Sequence, residues 1–299
     1  MTADEPSPSF AEGDIAAATA TVPAGAPGAR HGSIVVVKLG GDVLEGEALE
    51  LVAGDLAGVW LAGRPLMVVH GGGPQVTRLS ERLGLTPRLV GGRRITDEQT
   101  LEIMEMVVPG RLSVGLVAAL RAHDVPALGL SGSSGLVGAR RRPPVVVDGG
   151  GPEPIDFGLV GDIQTFDLPL LRLLLQAGYC PVLACLGLAP GGVVLNINAD
   201  TVASQLAAAI GAAVLVAVTA VGGVRRDRHD PTTRLDRLTV AKARAAIADG
   251  TVQGGMIPKL REAFAPLAAG VGAVHIVAPG EIARTLGSPG SVGTLLVSG

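Results

Sequence analysis

Aromatic side chains are almost absent from this chain, because Phe, Trp and Tyr together make up 2% of its 299 residues. Trp60 and Tyr179 are the only residues of their kinds. The hydrophobic fraction of 47% therefore comes mainly from Ala, Val and Leu. A chain of this length can bury one large core or two coupled ones. Small aliphatic side chains let helices pack closely on a buried sheet, so the composition favours a layered α/β fold.

Over most of the chain, neither positive nor negative charge is in excess. The formal charge of −3 equals that of residues 1–32 alone, where four acidic side chains stand against one arginine. The remaining residues are therefore neutral as a group, and a neutral body has no field that attracts a polyanion. Nucleic acid is thus excluded as an expected partner. Residues 1–32 are rich in Pro, Ala, Ser and Gly, which predicts a flexible N-terminal arm, with a short helix around 10–20 as the alternative.

Cysteines and long apolar runs are scarce as well. Cys180 and Cys185 are the only cysteines, and positions five apart on a strand point to opposite faces, so no disulfide is expected between them. Two buried thiols fit a reducing compartment. No apolar run approaches the roughly 20 residues of a membrane span, and the N-terminus lacks the pattern of a secretory signal. These features predict a cytoplasmic protein without a membrane partner.

What the chain does contain is a regular alternation of β-branched runs and helical stretches. Strands separated by helices of this length indicate parallel crossovers and a sheet covered on both faces. The predicted strands are 34–39, 66–70, 126–130, 181–187, 213–219 and 273–278. The predicted helices are 47–62, 74–84, 97–122, 167–178, 199–211 and 239–250.

Two segments interrupt this alternation. Residues 136–163 have short strand-like pieces and turn residues but no helical period. They predict either a hairpin excursion that forms a wall of a substrate pocket or a surface loop without a chemical role. Turn residues near 187–190 suggest a division between two alternating halves.

Three glycine-rich turns directly follow predicted strands: KLGG (38–41), HGGGP (70–74) and GLSGSSG (129–135). Such turns expose backbone N–H groups, and at the carboxyl ends of neighbouring parallel strands they would converge on one anionic ligand. HGGGP is the strongest signal, because three glycines before a helix exceed what a turn requires. Together the turns favour a phosphate-bearing ligand. A P-loop and a GxGxxG fingerprint are both missing, which argues against P-loop NTPases and Rossmann dehydrogenases.

Two polar segments add candidate binding groups. NINAD places Asn196, Asn198 and Asp200 before a helical run, and on an extended segment these three would share one side. A helix cap needs only one of them, so the alternation suggests a site. GGRRITDEQT offers Arg93 and Arg94, and a guanidinium fork commonly holds a substrate carboxylate.

Lysine is the rarest charged residue, present only as Lys38, Lys242 and Lys259. A lysine is a compact charge that fits between crowded oxygens, and phosphoryl transfer is stabilised by fixed point charges. Lys38 ends the first strand at a glycine turn and Lys259 follows another, so both are predicted to be functional. Lys242 falls in an ordinary helical stretch and is predicted to lie on the surface. His70 is predicted as a buried strand-end residue, and the histidines show no metal-ligand spacing.

The ordered set of motifs resembles the amino-acid kinase family, and within it the branch that phosphorylates N-acetylglutamate. The resemblance runs from about residue 33 to residue 297. It implies an open αβα sandwich with two lobes, residues 33–188 for the amino-acid substrate and 189–299 for ATP. The matching segments are VVKLGG, VVHGGGPQV, GGRRITDEQTLEIMEMVVPG, ALGLSG, FGLVGDI, AGYCPVLA, NINADTVASQLA and GGMIPKL.

The resemblance also implies a reaction, the ATP-dependent phosphorylation of the γ-carboxylate of N-acetyl-L-glutamate in arginine biosynthesis. Lys38 would bind the transferring phosphoryl group, and Lys259 would neutralise charge towards the ADP leaving group. Asp200 would hold both lysines rather than act as a base, because an ionised carboxylate needs no deprotonation. Mg²⁺ would sit mainly on the phosphate oxygens of ATP.

Binding residues follow from the same resemblance. Glycine N–H groups would donate to phosphoryl oxygens, while an arginine and two asparagines would hold the substrate. The implied phosphate-binding residues are Gly40, Gly41, Gly71 and Gly72. The implied substrate-binding residues are Arg94, Asn196 and Asn198.

Three departures from the usual family pattern accompany the resemblance. Ser134 and Ala220 each stand where relatives commonly have aspartate, and Ser113 with Val114 replaces an Asn-Lys pair. Two other hypotheses therefore stay open: a kinase for N-blocked α-aminoadipate in lysine biosynthesis, and a non-catalytic amino-acid-binding regulatory paralogue. Relatives form dimers or ring-like hexamers, so a homo-oligomer is expected.

Overall fold

The computed structural model describes residues 33–147, 150–227, 229–254 and 256–299, so the predicted N-terminal arm lies outside the described residues. The strands in chain order are β1 (Val35–Leu39), β2 (Leu66–His70), β3 (Leu89–Val90), β4 (Arg93–Arg94), β5 (Ala127–Ser131), β6 (Val137–Arg141), β7 (Gly161–Phe166), β8 (Cys180–Ala184), β9 (Leu186–Ala189), β10 (Val193–Asn196), β11 (Val214–Val218), β12 (Arg237–Thr239), β13 (Ala273–Val277) and β14 (Thr294–Val297). The helices are α1 (Gly46–Leu61), α2 (Gly73–Arg82), α3 (Glu98–Glu105), α4 (Ser113–Ala122), α5 (Leu168–Gln176), α6 (Ala199–Ile210), α7 (Val240–Ala248), α8 (Met256–Ala268) and α9 (Ile282–Gly287).

Eight of these strands form the main sheet, in the order β12-β14-β13-β11-β1-β2-β8-β5. Neighbouring strands are parallel except β13 and β14, which are antiparallel. The prediction of an α/β fold with a mainly parallel central sheet is therefore confirmed. The strand order reverses beside the central β1, because β2 lies on one side of it and β11 on the other. Ligands of open α/β sheets bind in the crevice at the carboxyl ends of the strands around such a point.

Both faces of the central strands are covered. All five residues of β1 and of β2 are buried, although successive side chains of a strand point to opposite faces. α6 packs on β1, β2 and β11, and α1 packs beside α4 and α9. Strands with helices on both faces need apolar side chains in nearly every position, and this explains the run Ile-Val-Val-Val before Lys38.

A second sheet of four strands, in the order β10-β9-β6-β7, stands apart from the main one. β6 and β7 are antiparallel, so residues 136–163 contain the predicted hairpin, of which Asp148 and Gly149 lie outside the described residues. The predicted strand 181–187 is wrong as a single element. It divides at Cys185 into β8 of the main sheet and β9 of the second sheet. The sequence does not reveal this division, because β8 and the start of β9 are buried and the apolar run continues through it.

The order of the main sheet bears on the proposed lobes. The strands of residues 33–188 in this sheet run from β1 to β5 on one side, and the strands β11 to β14 lie on the other. β9 and β10 pair with each other across the boundary suggested at residue 188. The division into a substrate lobe and an ATP lobe stays a prediction. Cys180 and Cys185 are buried and are not joined in a disulfide, as expected.

The predicted helix 97–122 is present but not uniform. A π-helical stretch, Met106–Leu112, contains Pro109 and joins α3 to α4. A widened turn accommodates a proline, which cannot donate the usual backbone hydrogen bond. By length and composition Glu98–Ala122 could cross a membrane, but a core helix passes the same test, and Leu116 and Leu120 are fully buried here.

The helix α8 was not predicted from the sequence. Pro258 and Pro266 both lie within Met256–Ala268 and hide its helical pattern. Pro258 is in the first turn, where the missing N–H group has no intrahelical partner in any case. Lys259 therefore lies on a helix that begins after the glycines, rather than in the glycine turn itself.

The buried strand β8 offers a test of the fold. Leu183 is fully buried between Val69 of β2 and Leu130 of β5. Leu183→Ala should lower the free energy of unfolding by about 2–5 kcal/mol, because it removes apolar contacts and leaves a cavity. Leu173→Ala on α5 is the control, since Leu173 is 60% exposed and its loss should change stability by less than about 0.5 kcal/mol. Equal losses in chemical denaturation would contradict the assigned burial of β8.

Candidate active site

Two of the glycine turns meet at the carboxyl ends of β1 and β2. The Gly71 N–H donates to the Leu39 carbonyl at 3.2 Å, which ties the second turn to the first strand. A Cβ atom on Gly41 would lie 2.6 Å from Gln75 Oε1 and 3.1 Å from Gly72 Cα. The turns therefore approach each other backbone to backbone, and only glycine fits there. α2 begins at Gly73, directly after the second turn, and a helix N-terminus has N–H groups without intrahelical partners.

The turn geometry refines one predicted role. Gly71 was expected to donate its N–H to a phosphoryl oxygen, but in this structure that group is bound to Leu39. Gly71 instead allows close packing, since a Cβ on it would lie 3.3 Å from the Ala199 Cβ. Phosphate binding by Gly40, Gly41 and Gly72 stays a prediction.

A buried ion pair lies directly beside these turns. Lys38 is 5% exposed at the end of β1, and its Nζ lies 2.8 Å from Oδ1 of Asp200. A buried ammonium group without a partner would be costly, so the carboxylate is required for this conformation. Asp200 lies in the first turn of α6, where the positive end of the helix dipole favours a negative charge. The structure thus joins two of the three predicted catalytic residues.

Lys259 completes the set from α8. Burial lowers its pKa below the ordinary lysine value of 10.5, and the positive charge of Lys38 lowers it further. The carboxylates of Asp200 and Asp42 act in the opposite direction. A small cavity is lined by Lys38, Asp200 and Lys259 together with Glu262. Two lysines and the aspartate between them therefore face one space, an arrangement suited to neutralising a highly charged anion.

Arg94 provides a partly buried guanidinium close to the second glycine turn. Its Nη2 donates to the Gly73 carbonyl at 3.0 Å and to the Thr77 hydroxyl at 2.6 Å. Its Nη1 is buried and has no hydrogen-bond partner among the described residues. Burial lowers the pKa of Arg94. An oriented guanidinium with an unused donor is the arrangement expected of a group that receives a carboxylate.

The two asparagines have different surroundings. Asn196 ends β10, and its Nδ2 donates to the Thr96 hydroxyl at 2.9 Å. Asn198 is the N-cap of α6, because its Oδ1 accepts hydrogen bonds from the N–H groups of Asp200 and Thr201 at 2.7 and 3.4 Å. The expectation that Asn196, Asn198 and Asp200 share one extended face is therefore wrong, since the helix begins at Ala199. A substrate role for Asn198 stays a prediction that now rests on its Nδ2 alone.

Sequence reasoning missed the role of Gln75. Its side chain is buried, and its Nε2 donates to the Gly41 carbonyl at 2.6 Å and to Glu45 at 3.0 Å. Glu45 in turn forms ion pairs with Arg78 and Arg111. Gln75 therefore holds the first glycine turn against α2. Its place directly after HGGGP was the signal that could have indicated it.

Glu262 was also missed. It is half-buried on α8, and its carboxylate accepts a hydrogen bond from the Thr201 hydroxyl at 3.1 Å. Burial raises the pKa of Glu262, and the neighbouring charge of Asp200 raises it further, although the bond from Thr201 opposes this. Its position three residues after Lys259 was the only available signal.

His70 behaves as predicted for a buried strand-end histidine. Burial lowers its pKa to about 4, so the ring is neutral at pH 7. Its Nδ1 lies 3.1 Å from the Gly71 carbonyl and donates to it. The ring thus helps to fix the second glycine turn without carrying a charge.

The residues that depart from the family pattern lie in three different parts of the structure. Ser113 is buried at the start of α4 beside Gly129 of β5, whereas Val114 is 67% exposed. Ser134 lies in a 3₁₀ turn after β5. The Ala220 N–H donates to Asp42 Oδ2 at 3.1 Å, at the end of β11.

The fold and the site together define a class: α/β kinases in which glycine turns and lysines meet at the carboxyl edge of a parallel sheet. Within that class, the chain belongs to the amino acid kinase family, whose model matches residues 33–278.

Curated relatives agree with this assignment. Over 88% of its length, the chain is 54% identical to an acetylglutamate kinase of Sorangium cellulosum (strain So ce56), covering 94% of that protein. It is 52% identical, over 88% of its length, to an acetylglutamate kinase of Anaeromyxobacter dehalogenans (strain 2CP-1 / ATCC BAA-258), covering 98% of that protein.

Solved structures show the same fold. An N-acetylglutamate synthase from Neisseria gonorrhoeae, complexed with coenzyme A and L-arginine, matches with a TM-score of 0.74 and 25% identity. That match covers 90% of this chain and 62% of the synthase chain. Carbamate kinase from Giardia lamblia bound to AMP-PNP matches with a TM-score of 0.66 and 17% identity, over 90% of this chain and 100% of that one. At this identity the second match supports the fold alone.

The charge environment of Lys259 can be tested by NMR. A chain with three lysines, labelled with ¹³C at Cε, gives three signals, and Lys259→Arg identifies the one that disappears. The midpoint for Lys259 should lie below 10.5, because burial and Lys38 disfavour its charged form. Asp200→Asn should lower the midpoint further by removing an attractive charge. A midpoint at or above 10.5 would contradict the cluster.

Proposed function

We propose that this enzyme transfers the γ-phosphoryl group of ATP to the γ-carboxylate of N-acetyl-L-glutamate, forming an acyl phosphate in arginine biosynthesis. The observation that carries the proposal is the cluster of Lys38, Asp200 and Lys259 beside two glycine turns. The similarity to acetylglutamate kinases at 52–54% identity supports this choice of substrate. We also infer that the enzyme acts in the cytoplasm as a homo-oligomer, either a dimer or a hexamer.

The residues suit a reaction that needs positioning rather than a base. A carboxylate is already ionised at neutral pH, so it attacks without losing a proton. Lys38 would attract the transferring phosphoryl group, and Lys259 would neutralise the charge that moves towards ADP. Asp200 holds Lys38 in place through their ion pair. The glycine turns would supply N–H donors close to the same oxygens.

The substrate would be recognised mainly through its α-carboxylate. Arg94 has a buried Nη1 without a partner among the described residues, so a bound carboxylate would satisfy this donor. Asn196 would add an uncharged amide donor, and its hydrogen bond to Thr96 fixes the orientation of this amide. Two fixed donors of this kind would hold the γ-carboxylate towards Lys38.

The described residues fit magnesium that arrives with the nucleotide. They contain no group of three His, Cys, Asp or Glu side chains that could hold an ion by themselves. Mg²⁺ commonly binds through one or two carboxylates together with substrate phosphates, and carboxylates do border the glycine turns here. When bound, the ion would neutralise phosphate charge and orient the phosphates.

Trapping of the product tests the reaction and its substrate. The purified enzyme is incubated with Mg-ATP, hydroxylamine and either N-acetylglutamate or N-acetylaminoadipate, because an acyl phosphate gives a stable hydroxamate. We expect strong trapping with N-acetylglutamate and little with the longer homologue. The reverse preference would instead assign the enzyme to lysine biosynthesis. Absence of both hydroxamates from a folded protein that still binds amino acid would favour the regulatory paralogue.

The lysine at position 259 can be tested in the same assay. Lys259→Arg should fold normally yet lower kcat about a hundredfold or more, because the planar guanidinium cannot occupy a point-charge position. Lys242→Arg is the matched control, since Lys242 is exposed on α7 and its replacement should leave kcat unchanged. Near-normal kcat in Lys259→Arg would remove this residue from the proposed mechanism.

A further inference from the structure

Asp42 lies at the point where the first glycine turn meets β11. It belongs to a short 3₁₀ turn, Gly41–Val43, that directly follows β1. Its Oδ2 accepts a hydrogen bond from the Ala220 N–H at 3.1 Å, although the two residues are 178 positions apart in the chain. This bond bridges the ends of two neighbouring strands and fixes the orientation of the carboxylate. Asp42 is exposed, and this bond holds its carboxylate in one orientation.

The other carboxylate oxygen, Oδ1, is turned back over the glycine turn. A Cβ atom on Gly40 would overlap it, and the same point is 3.8 Å from the Val218 carbonyl. Gly40 leaves this space free for the carboxylate. Oδ1 consequently lies at the carboxyl edge of β1 and β11, where the phosphates of a nucleotide are expected.

Asp42 differs from the other carboxylates beside the glycine turns. Asp200 is paired with Lys38, and Glu45 is paired with Arg78 and Arg111. Within the described part of the chain, Asp42 has no cationic side chain in ion-pair contact. Lys259 lies farther away, and the negative charge of Asp42 acts to raise the pKa of that lysine. One oxygen of Asp42 is anchored by Ala220, and the other has no hydrogen bond to the described residues.

An unpaired carboxylate at a phosphate site repels the ligand unless a cation lies between them. Mg²⁺ has the required chemistry, because it prefers hard oxygen ligands and is often held by one carboxylate and the phosphates of a substrate. We propose that Asp42 holds the Mg²⁺ carried by the nucleotide, through Oδ1, while the Ala220 N–H orients the carboxylate from behind. This inference rests on the proposed function, since it assumes that a nucleotide binds at the glycine turns.

Calorimetry of ADP binding tests the inference without relying on turnover. Asp42→Asn removes the charge but keeps an oxygen for the Ala220 N–H. In the wild type, we expect Mg²⁺ to strengthen ADP binding relative to a solution with EDTA. In Asp42→Asn this strengthening should shrink by about tenfold, as for other groups that hold or orient a metal ligand. ADP without metal should bind the variant at least as tightly as the wild type.

A matched control removes the same charge from a nearby residue. Glu47→Gln alters an exposed carboxylate in the first turn of α1, so the effect of Mg²⁺ on ADP binding should equal that of the wild type. If Asp42→Asn also responds to Mg²⁺ as the wild type does, the inference is overturned while the proposed function stands. If the wild type binds no ADP in either solution, both are overturned.

A second variant gives a positive signal. Asp42→Cys replaces a hard oxygen by a soft sulfur, and sulfur ligands favour soft metal ions. ADP should then bind about tenfold more tightly with Cd²⁺ than with Mg²⁺, a preference that the wild type lacks. The native Cys180 and Cys185 are buried and present in both proteins, so they cannot cause this difference. An unchanged preference between the two ions would count against Asp42 as the holder of the metal.

Discussion

A lysine buried at the end of the central strand is the constraint on which this structure depends. Lys38 is 5% exposed, and an ammonium group in such surroundings needs an oppositely charged partner. Asp200 provides it at 2.8 Å from the first turn of α6. The pair therefore fixes how α6 sits on β1, β2 and β11. Lys259 lines the same cavity from α8, a helix that packs on α6.

The arrangement of charge explains the chemistry that the site favours. Two lysines and Asp200 meet at one cavity, where burial raises the pKa of the fourth charged group, Glu262, and the buried Nη1 of Arg94 is a donor without a hydrogen-bond partner in the described part of the chain. The cationic groups are not suited to remove a proton, and the nearby histidine, His70, is neutral because burial lowers its pKa to about 4. Such a site stabilises moving negative charge by fixed positive groups, which is how phosphoryl transfer to a carboxylate would proceed.

Local sequence patterns predicted most of the elements that surround the site. β1, β2, α1 and α6 appear almost as expected, because their apolar periods are long and their ends carry Gly, Asn or Asp. The run 181–187 failed, since apolar residues continue through the change of sheet at Cys185. α8 failed because Pro258 and Pro266 conceal a helix that tertiary packing stabilises. These errors fall where burial, rather than local preference, decides the conformation.

The sequence by itself determined the family, and it singled out two lysines and the glycine turns, because rare lysines beside glycine-rich turns can be recognised without knowledge of tertiary contacts. Tertiary structure alone decided which partner each polar group has. It made Asn198 a helix cap, turned Gly71 towards Leu39, and brought Asp42 to Ala220 across 178 positions. The physical reason is that hydrogen bonds and ion pairs depend on distances in space, which parallel crossovers create between segments that are remote in the chain.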